Sequence, residues 1–291
     1  MARPFAAEPG WACALLNAFS QVLLQRSPLC GVCCLLAILL GAPQVFAQAL
    51  LGASSGLWVA HRRGYSRSHW QQGLYGYNGV LIGLLLGHWL PADPLQPLLV
   101  VLGGGLGAML VEHWRRRCPR PTCLPAYTLP FVLAGWAVAL VVETPTSASV
   151  APAGWLAALL AGVGQVFMLG QPLAGALVLL GLLLADRRAA CWALIGSACG
   201  VYFGLFQGLG LANGLGGFNP ALAALAFCHS RWLPGVAIAL AVLLEPGFSQ
   251  LPIPALTAPF ILACWLIKAA SRLWAQARQE AAPLRSHGHY S

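Results

Sequence analysis

Residues 21–31 read Q-V-L-L-Q-R-S-P-L-C-G, and residues 165–175 read Q-V-F-M-L-G-Q-P-L-A-G, with Gln, Val, Pro, Leu and Gly all recurring 144 positions later. Two further pairs follow in the same order. Tyr77-Asn78 returns as Phe218-Asn219, 141 positions on, and Thr128-Leu129-Pro130-Phe131 returns as Thr257-Ala258-Pro259-Phe260, 129 positions on. Chance supplies one such pair, not three in matching order, so the chain is an internal duplication of about 140 residues. That period is too long for a solenoid, whose repeats run about 20–50 residues. It suits a membrane protein built from two homologous halves.

Composition agrees. Of 291 residues, 59% are hydrophobic and only 8% charged, against about 25% charged in a soluble domain. This is an all-α integral membrane protein that sits in a lipid bilayer. The net charge of +9 would suggest nucleic acid in a soluble chain. Here the basic residues fall between apolar runs, where they set orientation instead, and nucleic-acid binding is excluded. The ten cysteines show no C-x-x-C pair with matching His, and free Cys packs as a small hydrophobe. The apolar start after Arg3 looks like a signal peptide, but its end reappears at position 165, so it is read as structure.

Gly10 to Gln25 is apolar yet short for a crossing, which takes about 20 residues. Apolar runs follow at 29–43, 44–61, 71–90, 94–113 and 128–143. The second half repeats the plan, with a short run at 153–168 and then runs at 172–185, 189–209, 213–228, 232–244 and 257–275. The expectation is ten spans plus two half-length segments. The positive charges fit this count. With the N-terminus cytoplasmic, cytoplasmic linkers follow the even-numbered spans. Those linkers hold Arg62, Arg63 and Arg67, then Arg115 to Arg117 and Arg120, then Arg187 and Arg188, then Arg231, then Lys268, Arg272, Arg278 and Arg285. The odd-numbered linkers hold no Lys or Arg, as the positive-inside rule requires. Five spans per half also mean that the second copy starts from the opposite side, so the repeats are inverted. The expected division is 1–146 for the first repeat, 147–277 for the second and 278–291 for a polar cytoplasmic tail, with both termini cytoplasmic. His287 and His289 in that tail are too sparse to argue a metal site.

Inverted repeats place their sites at mid-bilayer on broken helices, and irregular backbone at that depth must line a cavity or be buried. Gln21 and Gln165 lie near the ends of the half-length segments, before Pro28 and Pro172. A helix ending there leaves its last carbonyls without intrahelical partners, and these join the Gln side chain as hydrogen-bond acceptors. Thr128 and Thr257, each followed by x-Pro-Phe, carry a helix-start signature, so two half-helices offer a hydroxyl apiece unless the Thr only cap. Tyr77 and Phe218 sit beside glycines and an Asn, with Leu81 and Leu222 one turn on, and facing aromatics make a flat apolar slot. Acceptors, hydroxyls and a slot suit a small planar neutral donor such as urea. Stripping water from its polar groups without replacement costs several kcal/mol each. The seven acids fall at run ends or in linkers. Intramembrane acids mark ion and proton pathways, so this placement argues against ion-coupled pumping.

At these motifs the chain resembles the urea transporter family, in its bacterial-type urea channels. The matching pieces are Q-V at Gln21 and Gln165, P-L-x-G at Pro28 and Pro172, L-Y-G-Y-N at Leu74, G-F-N at Gly217, T-L-P-F at Thr128 and T-A-P-F at Thr257. The resemblance implies two halves of five transmembrane helices plus one re-entrant pore helix each. It also implies a homotrimer with one pore per subunit, and passive conduction of urea with no cofactor. Carried over by position, Gln21, Gln165 and Val166 sit at oxygen ladders, Thr128 and Thr257 line the narrow middle, and Tyr77 and Phe218 wall slots beside Leu81 and Leu222. Leu24 stands where the family often has a slot Phe, and Met168 holds the matching place. Gly217 stands where a bulky aromatic precedes Phe-Asn, so slot width is open.

Two other function classes compete. An intramembrane serine protease would use residues 52–56, G-A-S-S-G, as a nucleophile turn with His88 or His113 as base, but it leaves the duplication unexplained. An ammonia or short-amide channel would use the same architecture, and for ammonia would want histidines facing the pore.

Overall fold

The computed structural model describes residues 10–118, 124–143, 154–207 and 215–281. The expected tail beyond 281, with His287 and His289, lies outside the described residues, as do Pro119, Pro121 and Cys123. All regular structure among the described residues is helical. The first series is α1 (Trp11–Val22), α2 (Pro28–Gly41), α3 (Phe46–Arg62), α4 (Arg67–Gln71), α5 (Tyr77–Trp89), α6 (Leu95–Arg117) and α7 (Leu129–Ala139). The second is α8 (Trp155–Gly164), α9 (Pro172–Ala185), α10 (Arg187–Phe206), α11 (Phe218–Leu225), α12 (Leu233–Ser249) and α13 (Ala258–Ala281). A 3-10 turn at Pro43–Val45 precedes α3, and another at Gln165–Phe167 ends α8.

Three helices are long and apolar enough to cross a membrane: Leu95–Arg117, Arg187–Phe206 and Ala258–Arg278. Two bent pairs qualify jointly, α2 with α3 at 117° and α8 with α9 at 73°. Length explains why the others fall short. At about 1.5 Å per residue the 13 residues of α5 reach about 20 Å, against about 30 Å of hydrocarbon. The outer faces suit lipid. On α6, Leu98, Leu102 and Leu106 recur every fourth residue and are more than half exposed, while Val100, Gly104 and Ala108 face inward, the arrangement that helical periodicity makes from such spacing. The protein is a multi-pass α-helical membrane protein.

The duplicated P-L-x-G motif is a close helix crossing. A Cβ on Gly31 would lie 2.0 Å from the Leu16 carbonyl oxygen, and one on Gly175 would lie 1.8 Å from that of Leu160. α1 thus seats on α2, and α8 on α9, at a distance only glycine permits. Residues 52–56 lie inside α3, where Ser55 donates to the Val101 carbonyl at 2.6 Å. Ser197 does the same for Leu159 at 2.8 Å from α10. These hydroxyls are helix-packing groups rather than nucleophiles.

Candidate functional site

α1 and α8 both stop on a left-handed residue. Leu24 and Met168 each have φ 59°, a conformation that costs a non-glycine residue about 1–2 kcal/mol. The Leu24 N–H donates to Gln21 O at 2.9 Å and the Gln25 N–H to Ser20 O at 3.0 Å. Met168 to Gln165 O (2.9 Å) and Leu169 to Gly164 O (3.2 Å) repeat the pattern. This is the double bond of a Schellman cap, built twice without the usual glycine. It uses part of the acceptor set that Gln21 and Gln165 were expected to present, although a carbonyl keeps a second lone pair.

The other left-handed non-glycine residues among those described are Tyr127 (φ 45°) and Leu256 (φ 48°), each immediately before a motif Thr. They turn the chain into α7 and α13. Thr128 occupies the N-cap position of α7 but makes no side-chain capping bond. Its Oγ1 lies 2.7 Å from that of Thr257, and both residues are buried. The two T-x-P-F motifs therefore meet, hydroxyl to hydroxyl. The capping role belongs to Asn78, whose Oδ1 accepts from the Phe131 N–H at 3.2 Å. Its Nδ2 donates to Tyr127 O at 3.4 Å, and the Tyr77 hydroxyl donates to the same carbonyl. Asn219 holds the matching carbonyl, Leu256 O, at 3.0 Å.

A reciprocal exchange clamps the linkers before these turns. Trp136 Nε1 donates to Pro254 O at 2.9 Å, and Trp265 Nε1 donates to Pro125 O at 2.8 Å. Each tryptophan follows its own motif by the same interval and binds the linker of the other. Trp114 stacks on Trp265 with ring centroids 5.7 Å apart and donates to Leu124 O at 2.7 Å.

Gln21, Leu24 and Tyr77 line one cavity of about 550 Å³, together with Tyr127, Arg26, His69 and Arg115. Arg115 donates to Glu112 (3.0 Å) and to the Tyr75 hydroxyl (3.1 Å), and Tyr75 donates to Glu112 at 2.7 Å. Arg116 holds the second Glu112 oxygen at 2.8 Å, so this buried acid at the end of α6 is fully engaged. Leu81, Thr128 and the second-half residues Gln165, Val166, Met168, Phe218, Leu222 and Thr257 are not in that cavity's lining. Thr128 directly follows Tyr127, which does line it, and is paired with Thr257. Val166, Leu81 and Leu222 are buried, while Gln165, Met168 and Phe218 are half-buried. The 3-10 turn carrying Gln165 and Val166 packs on α11, as α1 packs on α5.

Sequence reasoning missed three things here. Asn78 and Asn219 were visible in the repeat but not recognised as the carbonyl holders. The left-handed turns carry Leu, Met and Tyr, so no glycine announced them. Glu245 was read as lying past a run ending at Leu244, but it is inside α12, where it accepts from Asn219 Nδ2 at 3.0 Å. The arrangement as a whole offers hydroxyls and oriented carbonyls beside apolar side chains.

A family model described as urea transporter matches residues 12–272. Urea transporter 1 of Ovis aries is 27% identical over 244 residues, covering 73% of this chain and 61% of its own length. Urea transporter 1 of Mus musculus is 28% identical over 248 residues with the same coverage. The chain spans about three fifths of the length of these relatives. With the family model matched along most of its length, the chain belongs to the urea transporter family.

Proposed function

We propose that the chain is a passive, selective urea channel whose pore runs between two inverted repeats, past Gln21, Leu24 and Tyr77, through the Thr128–Thr257 pair, and out by Gln165, Val166, Met168 and Phe218. Leu81 and Leu222 back the slots. The observation that carries this reading is the hydroxyl pair, contributed by both motif copies at one buried point. The pair uses one O–H; the other, with the remaining lone pairs, is left for a solute's carbonyl and N–H groups. Neutral groups at the narrowest point suit an uncharged guest, because a buried ion would need a counter-charge. The matched left-handed turns and the reciprocal tryptophan bonds support two copies of one module. In the full reading each copy has five spans and one re-entrant helix, both termini are cytoplasmic, and the working unit is a homotrimer in the cell membrane.

Stopped-flow measurement on proteoliposomes tests this. Urea flux should be fast, saturable and unchanged by proton or sodium gradients. Flux equal to that of empty liposomes would remove the urea reading. Flux that follows a proton gradient would turn attention to Glu245, and ammonia flux exceeding urea flux would favour an ammonia channel.

A further inference from the structure

Away from the pore, the turn after α11 brings Cys228 and His229 against Asp186, which caps α10. One ligand atom from each residue lies within 4.8 Å of the others. The parts are set by the backbone. Asp186 Oδ1 is engaged as a helix cap, accepting from the Arg188 N–H at 2.8 Å. That leaves Oδ2, 3.4 Å from His229 Nε2. The Cys228 thiol is buried at 4% exposure, while the His229 side chain is 77% exposed. The turn is pinned by Cys228 N–H to Leu225 O and by Ser230 N–H to Phe227 O at 2.8 Å.

We propose that Asp186, Cys228 and His229 form a zinc site on this protein. Tetrahedral Zn²⁺ takes N and O ligands at about 2.0–2.2 Å and S at about 2.3 Å, which places neighbouring ligand atoms about 3.3–3.7 Å apart. The carboxylate-to-imidazole distance is already in that range, and the sulfur, within 4.8 Å of both, needs a shift of at most about an ångström to meet these lengths. Thiolate and imidazole select zinc over the hard, oxygen-seeking Mg²⁺ and Ca²⁺. A histidine–carboxylate ion pair would account for two of the three groups but not for a thiol turned to the same point. On binding, a Zn–S bond forms and the thiol proton leaves to water. Thiolate and carboxylate then neutralise the ion, and water takes the fourth position beside the exposed histidine. The bound ion ties the α9–α10 junction to the far end of α11, the helix that begins with Phe218.

The test uses the full chain in detergent, freed of metal by a chelator and titrated with Zn²⁺ against a chromophoric competitor. A parallel Co²⁺ titration reads the thiolate-to-metal charge-transfer band. One Zn²⁺ per chain is expected, with that band present. Cys228→Ser and His229→Ala should each weaken binding roughly tenfold or more and abolish or shift the band. Asp186→Asn, which keeps a capping oxygen, should weaken binding while leaving the thermal midpoint of the metal-free protein near wild type. The double variant His287→Ala/His289→Ala should bind as wild type does. Unchanged affinity in His229→Ala, a Co²⁺ complex without a sulfur band, or loss of binding in the tail variant would each overturn the proposal. The readout is metal binding, so it stands or falls independently of which solute the pore carries.

Discussion

In the first half Asn78 uses both ends of its amide: Oδ1 takes the Phe131 N–H, Nδ2 gives to Tyr127 O, and the neighbouring Tyr77 hydroxyl adds a second bond to that carbonyl. In the second half Asn219 Nδ2 is divided between Leu256 O and Glu245, Phe218 has no hydroxyl, and Asn219 Oδ1 is buried without a partner. The backbone turns are the same to within a few degrees of φ, but the polar groups around them are not. A buried amide oxygen without a hydrogen bond costs about 1–3 kcal/mol, so the second turn carries a penalty that the first does not. The comparison teaches that the duplicated motifs preserved backbone shape at these turns, while the side-chain chemistry around them diverged.

Four sets of substitutions break or sharpen this contrast. The largest effect is expected where the halves agree. Gly175→Val drives a side chain into the Leu160 carbonyl and should destabilise the protein by about 3 kcal/mol or more, seen as loss of folded yield and a lower unfolding midpoint in detergent. Gly31→Val should match it, and a mild effect in either would mean that the two crossings are not equally tight. Next, Asn78→Ala leaves the Phe131 N–H without its partner and Tyr127 O with the Tyr77 hydroxyl alone, and should cost about 1–3 kcal/mol. Asn219→Ala should cost less from the amide itself, and pairing it with Glu245→Gln should recover part of the loss in a double-mutant cycle. Equal costs with no coupling would erase the distinction between the halves.

The Thr pair gives a functional effect of intermediate size. Thr128→Val and Thr257→Val should each slow urea flux roughly tenfold, about 1.4 kcal/mol of barrier. The double variant should fall well short of a hundredfold, because the first change already breaks the shared bond. Additive losses would show that the hydroxyls act separately. The smallest effect belongs to Tyr77→Phe, which makes the first slot resemble the second. It should lower stability by about 1 kcal/mol and change urea flux less than either Thr variant. A large flux defect would make the Tyr77 hydroxyl a pore group rather than a brace.

Much of this was legible in advance, and the reason is periodic. Pro28 and Pro172 mark where α2 and α9 begin, so the helix before each must already have ended; Thr-x-Pro-Phe starts another, and both signals were duplicated, so Gln21, Gln165, Thr128 and Thr257 could be placed near helix ends without coordinates. Leu24 and Met168 were named for their position, but their left-handed backbone was hidden because a Schellman cap normally advertises itself with glycine. Thr128 shows what local signals leave open. Its local signature was that of a cap, yet Asn78, fifty residues away, reaches the helix start instead and frees the hydroxyl for Thr257.

The sequence by itself determined that the chain is helical, lives in lipid and is written twice, because apolar runs, helix punctuation and repeated motifs are local properties that need no partner to be read. Only the tertiary structure decided which groups meet: Thr128 with Thr257, Trp136 with the linker at Pro254, Asp186 with Cys228 and His229. Those pairings depend on how helices cross. The crossings follow from close contacts such as Gly31 on Leu16, in which the two residues sit on different helices and neither one identifies the other.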